Sequence, residues 1–273
     1  MHFGPLRSLL HSSEPSQTSF DEILRHLLNV TWWEDPRIVE ECLAYADAGL
    51  SRWPDITRCL QVSKMEVQFL ENIFMWGALL RGLWLRRVPE FLPQFADALE
   101  RGELRDVRFL SIDDCDVTGE QLDAIGQGIR ALEGFHISTR NYRCVFDLQA
   151  LRPAMRELKW LIIKGSIDLE EHARMLDVCE ELVYIDVPIK ADNVHLFTRE
   201  RFPNLRYIAA DSAIADNILG LIDHATLDDI TLLESNRIWH NSYVRDSIHA
   251  RGWHTATHND LSESSPIPFL SMV

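Results

Sequence analysis

Val107-Arg108-Phe109-Leu110-Ser111-Ile112-Asp113-Asp114-Cys115 is the stretch that decides the reading of this chain. Apolar residues stand at relative positions 0, +3 and +5 (Val107, Leu110, Ile112), followed by a cysteine at +8. Alternation across +3 and +5 suits a short strand with one face turned inward. The triplet returns as Leu132, Phe135, Ile137, as Leu158, Leu161, Ile163, and as Leu182, Ile185, Val187. It continues as Leu205, Ile208, Ala210 and as Leu227, Ile230, Leu232, and upstream Leu80, Leu83 and Leu85 fit as well. First positions at 80, 107, 132, 158, 182, 205 and 227 give steps of 27, 25, 26, 24, 23 and 22. In a chain that is 46% apolar, a single triplet arises by chance about one time in ten. Seven in succession at a slowly drifting period mark an internal repeat.

The linkers between triplets read as helices. Thr118-Gly119-Glu120-Gln121 has capping-box form, and Leu122, Ile125 and Ile129 follow at helical spacing. Asp168 can cap a helix over 169–181 whose Ala173, Met175 or Leu176 and Cys179 face the sheet, and Asp192 and Asp216 can open shorter pieces. Pro89 can start one running to Ala98. Each unit is thus a strand, a turn and a helix leading back to the next strand. So short a strand cannot bury its face alone, so the units must stack and their parallel strands form one sheet.

The array resembles the leucine-rich-repeat family, whose units run L-x-x-L-x-L-x-x-N/C-x-L, and Val107 to Cys115 carries the closest likeness. Phe202-Pro203-Asn204-Leu205 is similar to the family's lead-in to a repeat, and Trp53-Pro54-Asp55-Ile56 echoes it as a degenerate first repeat. The resemblance implies an α/β solenoid with a curved parallel sheet on its concave side and helices on its convex side. In its helical linkers it is nearest to the ribonuclease-inhibitor type. Arg140, Ser166, Lys190, Ala213 and Ser235 occupy the position that Cys115 fills, so the turn ladder is largely absent and the turns should be irregular. The expected organisation is an N-terminal tail and helical cap over 1–52, about seven to eight irregular repeats over 53–236, and a C-terminal cap and tail over 237–273. Phe20, Ile23, Leu24, Leu27 and Leu28, then Val39, Cys42, Leu43 and Ala46, lie at helical spacing and supply the cap that an open sheet edge needs.

Composition bounds the function. A net charge of −15, from 27 basic against 42 acidic residues, repels phosphate backbones and anionic membranes and steers a basic protein inward. Five scattered cysteines without a CxxC pair indicate neither a disulfide framework nor a zinc knuckle, and suit a reducing, cytoplasmic setting. No apolar run reaches the length of a spanning helix.

Strand alternation puts +2, +4 and +6 on the concave surface. The +2 row reads Gly82, Phe109, Gly134, Trp160, Tyr184, Tyr207, Asp229; the +4 row reads Trp84, Ser111, His136, Ile162, Asp186, Ala209, Thr231; the +6 row reads Arg86, Asp113, Ser138, Lys164, Pro188, Asp211, Leu233. Exposed aromatics in a row, rimmed by charges of both signs, suit protein recognition. The candidate contact residues are Trp84, Arg86, Phe109, Asp113, His136, Trp160, Lys164, Tyr184, Asp186, Tyr207 and Asp211, with Asp113 and Asp211 placed to meet a basic partner. On this reading, replacing Trp160 and Tyr184 by alanine weakens partner binding and leaves thermal unfolding nearly unchanged.

Other chemistry is weaker. His240, His249, His254 and His258 crowd the C-terminal stretch, and His254 and His258 could share a helix face, but no cysteine or carboxylate completes a ligand set. Asp113, Asp114 and Asp116 read as solvated turn carboxylates, and there is no phosphate-binding glycine loop, GxSxG elbow or HExxH. The expectation is a non-catalytic protein-binding scaffold, an inhibitor, effector or neutralising partner, with no cofactor. The alternative is an adaptor whose N-terminal helices dock one component while the repeats recognise another. Phe20-Asp21-Glu22-Ile23-Leu24 with Leu27-Leu28 is faintly similar to the opening helix of the F-box module, without its Leu-Pro start. An exposed apolar face on 18–50 would favour the adaptor, and a buried one the cap.

Overall fold

A computed structural model describes residues 4–12, 14–28, 36–62, 74, 76–139, 148–165, 173–209, 215–233 and 242–256. Three helices come first: α1 (Gly4–Ser12), α2 (Gln17–Leu28) and α3 (Pro36–Leu50). The array follows as β1 (Cys59–Val62), β2 (Gly82–Arg86), α4 (Leu92–Glu100), β3 (Phe109–Asp113), α5 (Gly119–Gly128), β4 (Gly134–Ser138) and β5 (Trp160–Lys164). It continues with α6 (Ala173–Leu176), β6 (Tyr184–Asp186), β7 (Tyr207–Ala209), α7 (Ala215–His224), β8 (Thr231–Leu233), α8 (Ser242–Ala250) and β9 (His254–Ala256).

The strands form one open, nine-stranded sheet in strict sequence order, and each neighbouring pair is parallel. The paired first residues Cys59, Gly82, Phe109, Gly134, Trp160, Tyr184, Tyr207, Thr231 and His254 show the repeat directly. The array therefore reaches one strand beyond each end of the seven triplets. β1 follows the Trp53-Pro54 echo, and β9 lies in the stretch expected to be a cap.

One strand sits in a different register from that expected. Tyr207 pairs with Thr231 and Ile208 with Leu232, so β8 starts two residues later than the Leu227 triplet implies. Asp229 is the reason: its φ of 56° places it in the left-handed region, a turn conformation that aspartate tolerates better than most residues. A slip of two preserves the faces, so Leu227, Ile230 and Leu232 all remain buried. Thr231 and not Asp229 stands in the aromatic row.

The +3 and +5 residues meet the helices in one core that runs from Leu6 to Trp253. In α5 both bonds of the capping box form, Thr118 Oγ1 accepting from the Gln121 amide at 3.3 Å and Gln121 Oε1 accepting from the Thr118 amide at 3.0 Å. The helix proposed over 169–181 is α-helical at Ala173–Leu176 and turns over 177–181, with Met175, Leu176 and Cys179 buried as expected and the Ala173 side chain outside what is described. Residues 166–172 lie outside the described residues. The four described cysteines are free and buried.

At Gly126 on α5 the helix comes so close to the 148–154 turn that a Cβ would stand 1.8 Å from the Ala150 carbonyl oxygen. Gly126→Ala should therefore destabilise by about 2 kcal/mol through overpacking against backbone, although glycine to alanine in a helix normally gains roughly 1 kcal/mol. Gly119→Ala, where a Cβ meets nothing within 4 Å, is the control. Chemical denaturation of both variants checks the pair, and equal midpoints would refute the close approach.

Where a tail was expected, α1 packs against α2 and α3, and α2 leans on β1. Phe20, Ile23, Leu24 and Leu27 are buried, as are Cys42, Ala46 and Leu50. Arg58, itself buried, ties this cap to the sheet by donating to Asp47 Oδ1 at 3.0 Å and to the Leu79 carbonyl at 3.0 Å. At the far end Trp253 Nε1 donates to the Leu227 carbonyl at 3.1 Å. No helix among the described residues is long and apolar enough to cross a membrane.

Candidate functional site

Parallel pairing lines up the outward residues of successive strands as the alternation implied. The lower row runs Cys59, Gly82, Phe109, Gly134, Trp160, Tyr184, Tyr207, Thr231, His254. The row above it runs Gln61, Trp84, Ser111, His136, Ile162, Asp186, Ala209, Leu233, Ala256. Of the candidates, Trp84, Phe109, His136, Trp160, Tyr184, Asp186 and Tyr207 are brought onto one face in these two rows. Arg86, Asp113 and Lys164 stand at its upper edge, and Asp211 lies outside the described residues.

The expected exposure is not what the structure shows. Trp84 is 4% exposed, Phe109 4%, Trp160 9% and Tyr184 0%, and His136 and Asp186 are also buried; Tyr207 is half-buried. These side chains form a second apolar cluster with Cys59, Ile162, Ala209 and Leu233. Every residue of that cluster is a strand residue, and no described helix contributes to it. The strands signalled this in their sequence. Leu83-Trp84-Leu85, Trp160-Leu161-Ile162-Ile163 and Leu232-Leu233 are continuous apolar runs, the mark of a parallel sheet covered on both faces and not on one.

Two glycines let the large rings fit. Phe109 and Trp160 stand on β3 and β5, and their rings stack at 5.8 Å over β4 where Gly134 carries no side chain. A Cβ on Gly82 would lie 2.3 Å from Cys59 Sγ and 3.2 Å from the Trp84 indole, so the thiol and the ring share the space it leaves.

Above the rings the chemistry becomes polar. Ser111 Oγ and His136 Nδ1 are 2.8 Å apart and buried. Burial pushes the His136 imidazole down to about 4, Asp113 opposing and Lys164 adding to the shift, so the ring is neutral at physiological pH. Ser138 Oγ donates to Asp113 Oδ1 at 2.6 Å and accepts from the Asp114 amide at 2.8 Å, while Thr139 Oγ1 donates to Asp116 Oδ1 at 2.6 Å. The acidic cluster is thus an ordered turn ladder, joined by Arg86 to Asp113 at 3.0 Å and Arg87 to Asp114 at 2.7 Å. Arg87 and Asp114 hold the same place in successive repeats, and both are left-handed, with φ of 56° and 57°.

Asp186, in contrast, is a buried carboxylate paired with the Lys164 ammonium. Removing one member of such a pair strands the other charge. Lys164→Met should cost about 2 kcal/mol, below the full cost of a buried pair because the lysine is partly solvated, while Lys164→Arg retains most of the stability. Urea unfolding of the two variants tests this, and equal loss in both would show that charge is not what Asp186 needs.

A second polar ladder runs along the other edge of the sheet, unforeseen because its residues lie outside the triplet. Arg81, Arg108, Glu133 and Lys159 immediately precede β2 to β5. Arg108 reaches Glu133 at 2.8 Å, Asp55 at 3.5 Å and Glu157 at 3.5 Å, and Lys159 reaches Glu133 at 2.9 Å. Burial pushes the Glu133 carboxyl up, but hydrogen bonds from Lys159 and Arg108 outweigh it and hold the group below its ordinary value.

The histidine-rich stretch does not assemble a site among the described residues. His254 lies in β9 and not on a helix, 3.8 Å from Asp229 with both side chains largely exposed, and His240 and His258 lie outside the described residues. No group of three histidine, cysteine or carboxylate side chains able to hold a metal occurs among the described residues. No known protein-family model matches the chain, and no curated protein matches it in sequence.

Proposed function

We propose that this chain is a divergent leucine-rich-repeat solenoid, curved with its strands inward, and that it is a non-catalytic scaffold that holds a protein across the aromatic face. One observation carries the reading: Phe109 on β3 and, beyond Gly134 of β4, Trp160, Tyr184 and Tyr207 on the consecutive strands β5 to β7 form a row on the face that no described helix shares. Tyr207, half-buried at the end of the row, is the ring a partner can still desolvate, and an interface aromatic that becomes fully desolvated contributes about 2 kcal/mol or more. The net charge of −15 favours a basic partner by steering its approach. Buried apolar residues on α2 and α3 support a cap over an adaptor's docking surface, since the side chains that would dock are turned into the core.

The test is capture from native lysate by the wild type and by a Tyr207→Ala/Thr231→Glu variant. Both positions are half-buried at the β7–β8 end of the row, so the fold should tolerate the change. A protein retained by the wild type and lost by the folded variant supports the reading. Equal recovery by both removes the aromatic face from consideration.

A further inference from the structure

The helix that caps the first strand carries a carboxylate beside its buried face. α2 packs against α1, against β1 and against the turn at Asp55–Thr57. Phe20, Ile23, Leu24 and Leu27 form its buried stripe. Asp21 lies at the margin of that stripe, half-buried, and its Oδ1 is buried with no hydrogen-bond partner among the described residues. An ionised carboxylate out of water needs hydrogen bonds or a counter-charge, and a neutral carboxyl needs far less. The charges around it supply little. Arg25, one turn further along α2, attracts it but is itself exposed, as is Glu22 on the same helix. Arg58, the buried cation just ahead of β1, is committed to Asp47 and to the Leu79 carbonyl. The facing turn offers a second carboxylate, Asp55, which Arg81 and Arg108 approach at 3.8 and 3.5 Å. On β1, burial and then the negative charges of Asp55 and Asp21 push the Cys59 thiol up, so Asp21 acts on the strand itself. From α1 come only Arg7 and His11, both exposed.

We propose that Asp21 is an acid-operated latch, which holds α2 on the first strand more tightly when its carboxyl is protonated than when it is ionised. Burial, partly offset by Arg25, raises that carboxyl from 3.8 to about 6. The docked helix therefore takes up a proton that the detached helix, with its carboxyl in water, releases. Docking strengthens as pH falls below 6 and weakens as pH rises through it. The effect is local to the cap. β1 has a strand neighbour on one side only in the sheet order, and α2 packs where an open edge needs cover. A cap of this kind opens at a lower free energy than the array behind it.

Hydrogen exchange of the full chain, corrected for the intrinsic effect of pH, tests the latch without reference to any partner. Amides of 17–28 are expected to be about tenfold better protected at pH 5 than at pH 8. Amides of 109–113, which open with the core, should show no such gain. Asp21→Asn keeps the shape and removes the charge, so its 17–28 segment should be equally protected at both pH values. Arg25→Gln removes the attraction that offsets burial and should move the transition of 17–28 to higher pH. A purely structural role for Asp21 would not move it. Equal protection of 17–28 in the wild type at pH 5 and pH 8 overturns the proposal. A tenfold gain that persists in Asp21→Asn overturns it as well. Should Asp21→Asn fail to fold, Arg25→Gln decides, and an unmoved transition there removes the latch.

Discussion

Replacing Trp160 and Tyr184 together by alanine is expected to lower the thermal unfolding midpoint by about 15 °C, from about 3 to 4 kcal/mol lost at each site. An exposed aromatic row would give almost no shift, which is what the sequence alone implied. Burial reverses that expectation, because each truncation leaves a cavity that rigid neighbours fill only partly. Melting followed by circular dichroism decides it, and a midpoint within a degree or two of wild type would place both rings in water.

The second large effect concerns His136 and acid. Its folded pKa of about 4 lies below the ordinary 6.5. As pH falls through 6.5 the unfolded chain binds a proton there and the folded chain does not, so stability declines until about pH 4 and then levels off. The full loss is about 3 kcal/mol. Asp21 works in the opposite sense. Burial, only partly offset by Arg25, raises its carboxyl to about 6, so its protonation favours the folded state as pH falls below that value. The wild-type profile alone therefore understates the histidine. Subtracting the profile of His136→Gln, which can still bond Ser111, isolates it. Denaturant midpoints for wild type and variant should diverge from pH 4 to 6.5, with the wild type losing ground towards acid. Parallel profiles would mean that the imidazole is hydrated after all.

What the sequence made legible was whatever repeats. The +3 and +5 residues from Leu83 to Ile208 went into the core as the period required, the Thr118 capping box formed, and the cap helices buried Phe20, Ile23, Leu24, Leu27, Cys42 and Ala46 of the residues whose spacing marked them, with Leu43 half-buried. Legibility failed where one residue's backbone overrode the pattern. Asp229 in a left-handed turn moved β8 by two residues, and nothing in the apolar spacing of Leu227, Ile230 and Leu232 distinguishes the two registers. Alternation correctly placed Trp84, Phe109, Trp160 and Tyr184 on the face opposite the helices, but which face a residue takes is a local property and its cover is not. The continuous apolar runs at Trp160 to Ile163 carried that second layer. A period of two with one buried face hid it. The edge ladder from Arg81 to Lys159 was invisible for a simpler reason, since charged residues just ahead of a strand look like ordinary solvated surface until parallel pairing lines them up.

The strictly sequential strand order has a mechanical consequence. Each strand bonds only to the strand before it and the one after it, 23 to 27 residues away along the chain. A force applied to the two ends loads these interfaces one after another, because among the described residues strand pairing joins only neighbouring repeats. The molecule should therefore yield as a spring that gives way unit by unit, each step freeing about 25 residues or roughly 85 Å of contour. Peeling should begin at the three-residue strands β6 to β9 and stop longest at β2 to β5, where five-residue strands and the Arg108–Glu133–Lys159 ladder bind neighbouring repeats together.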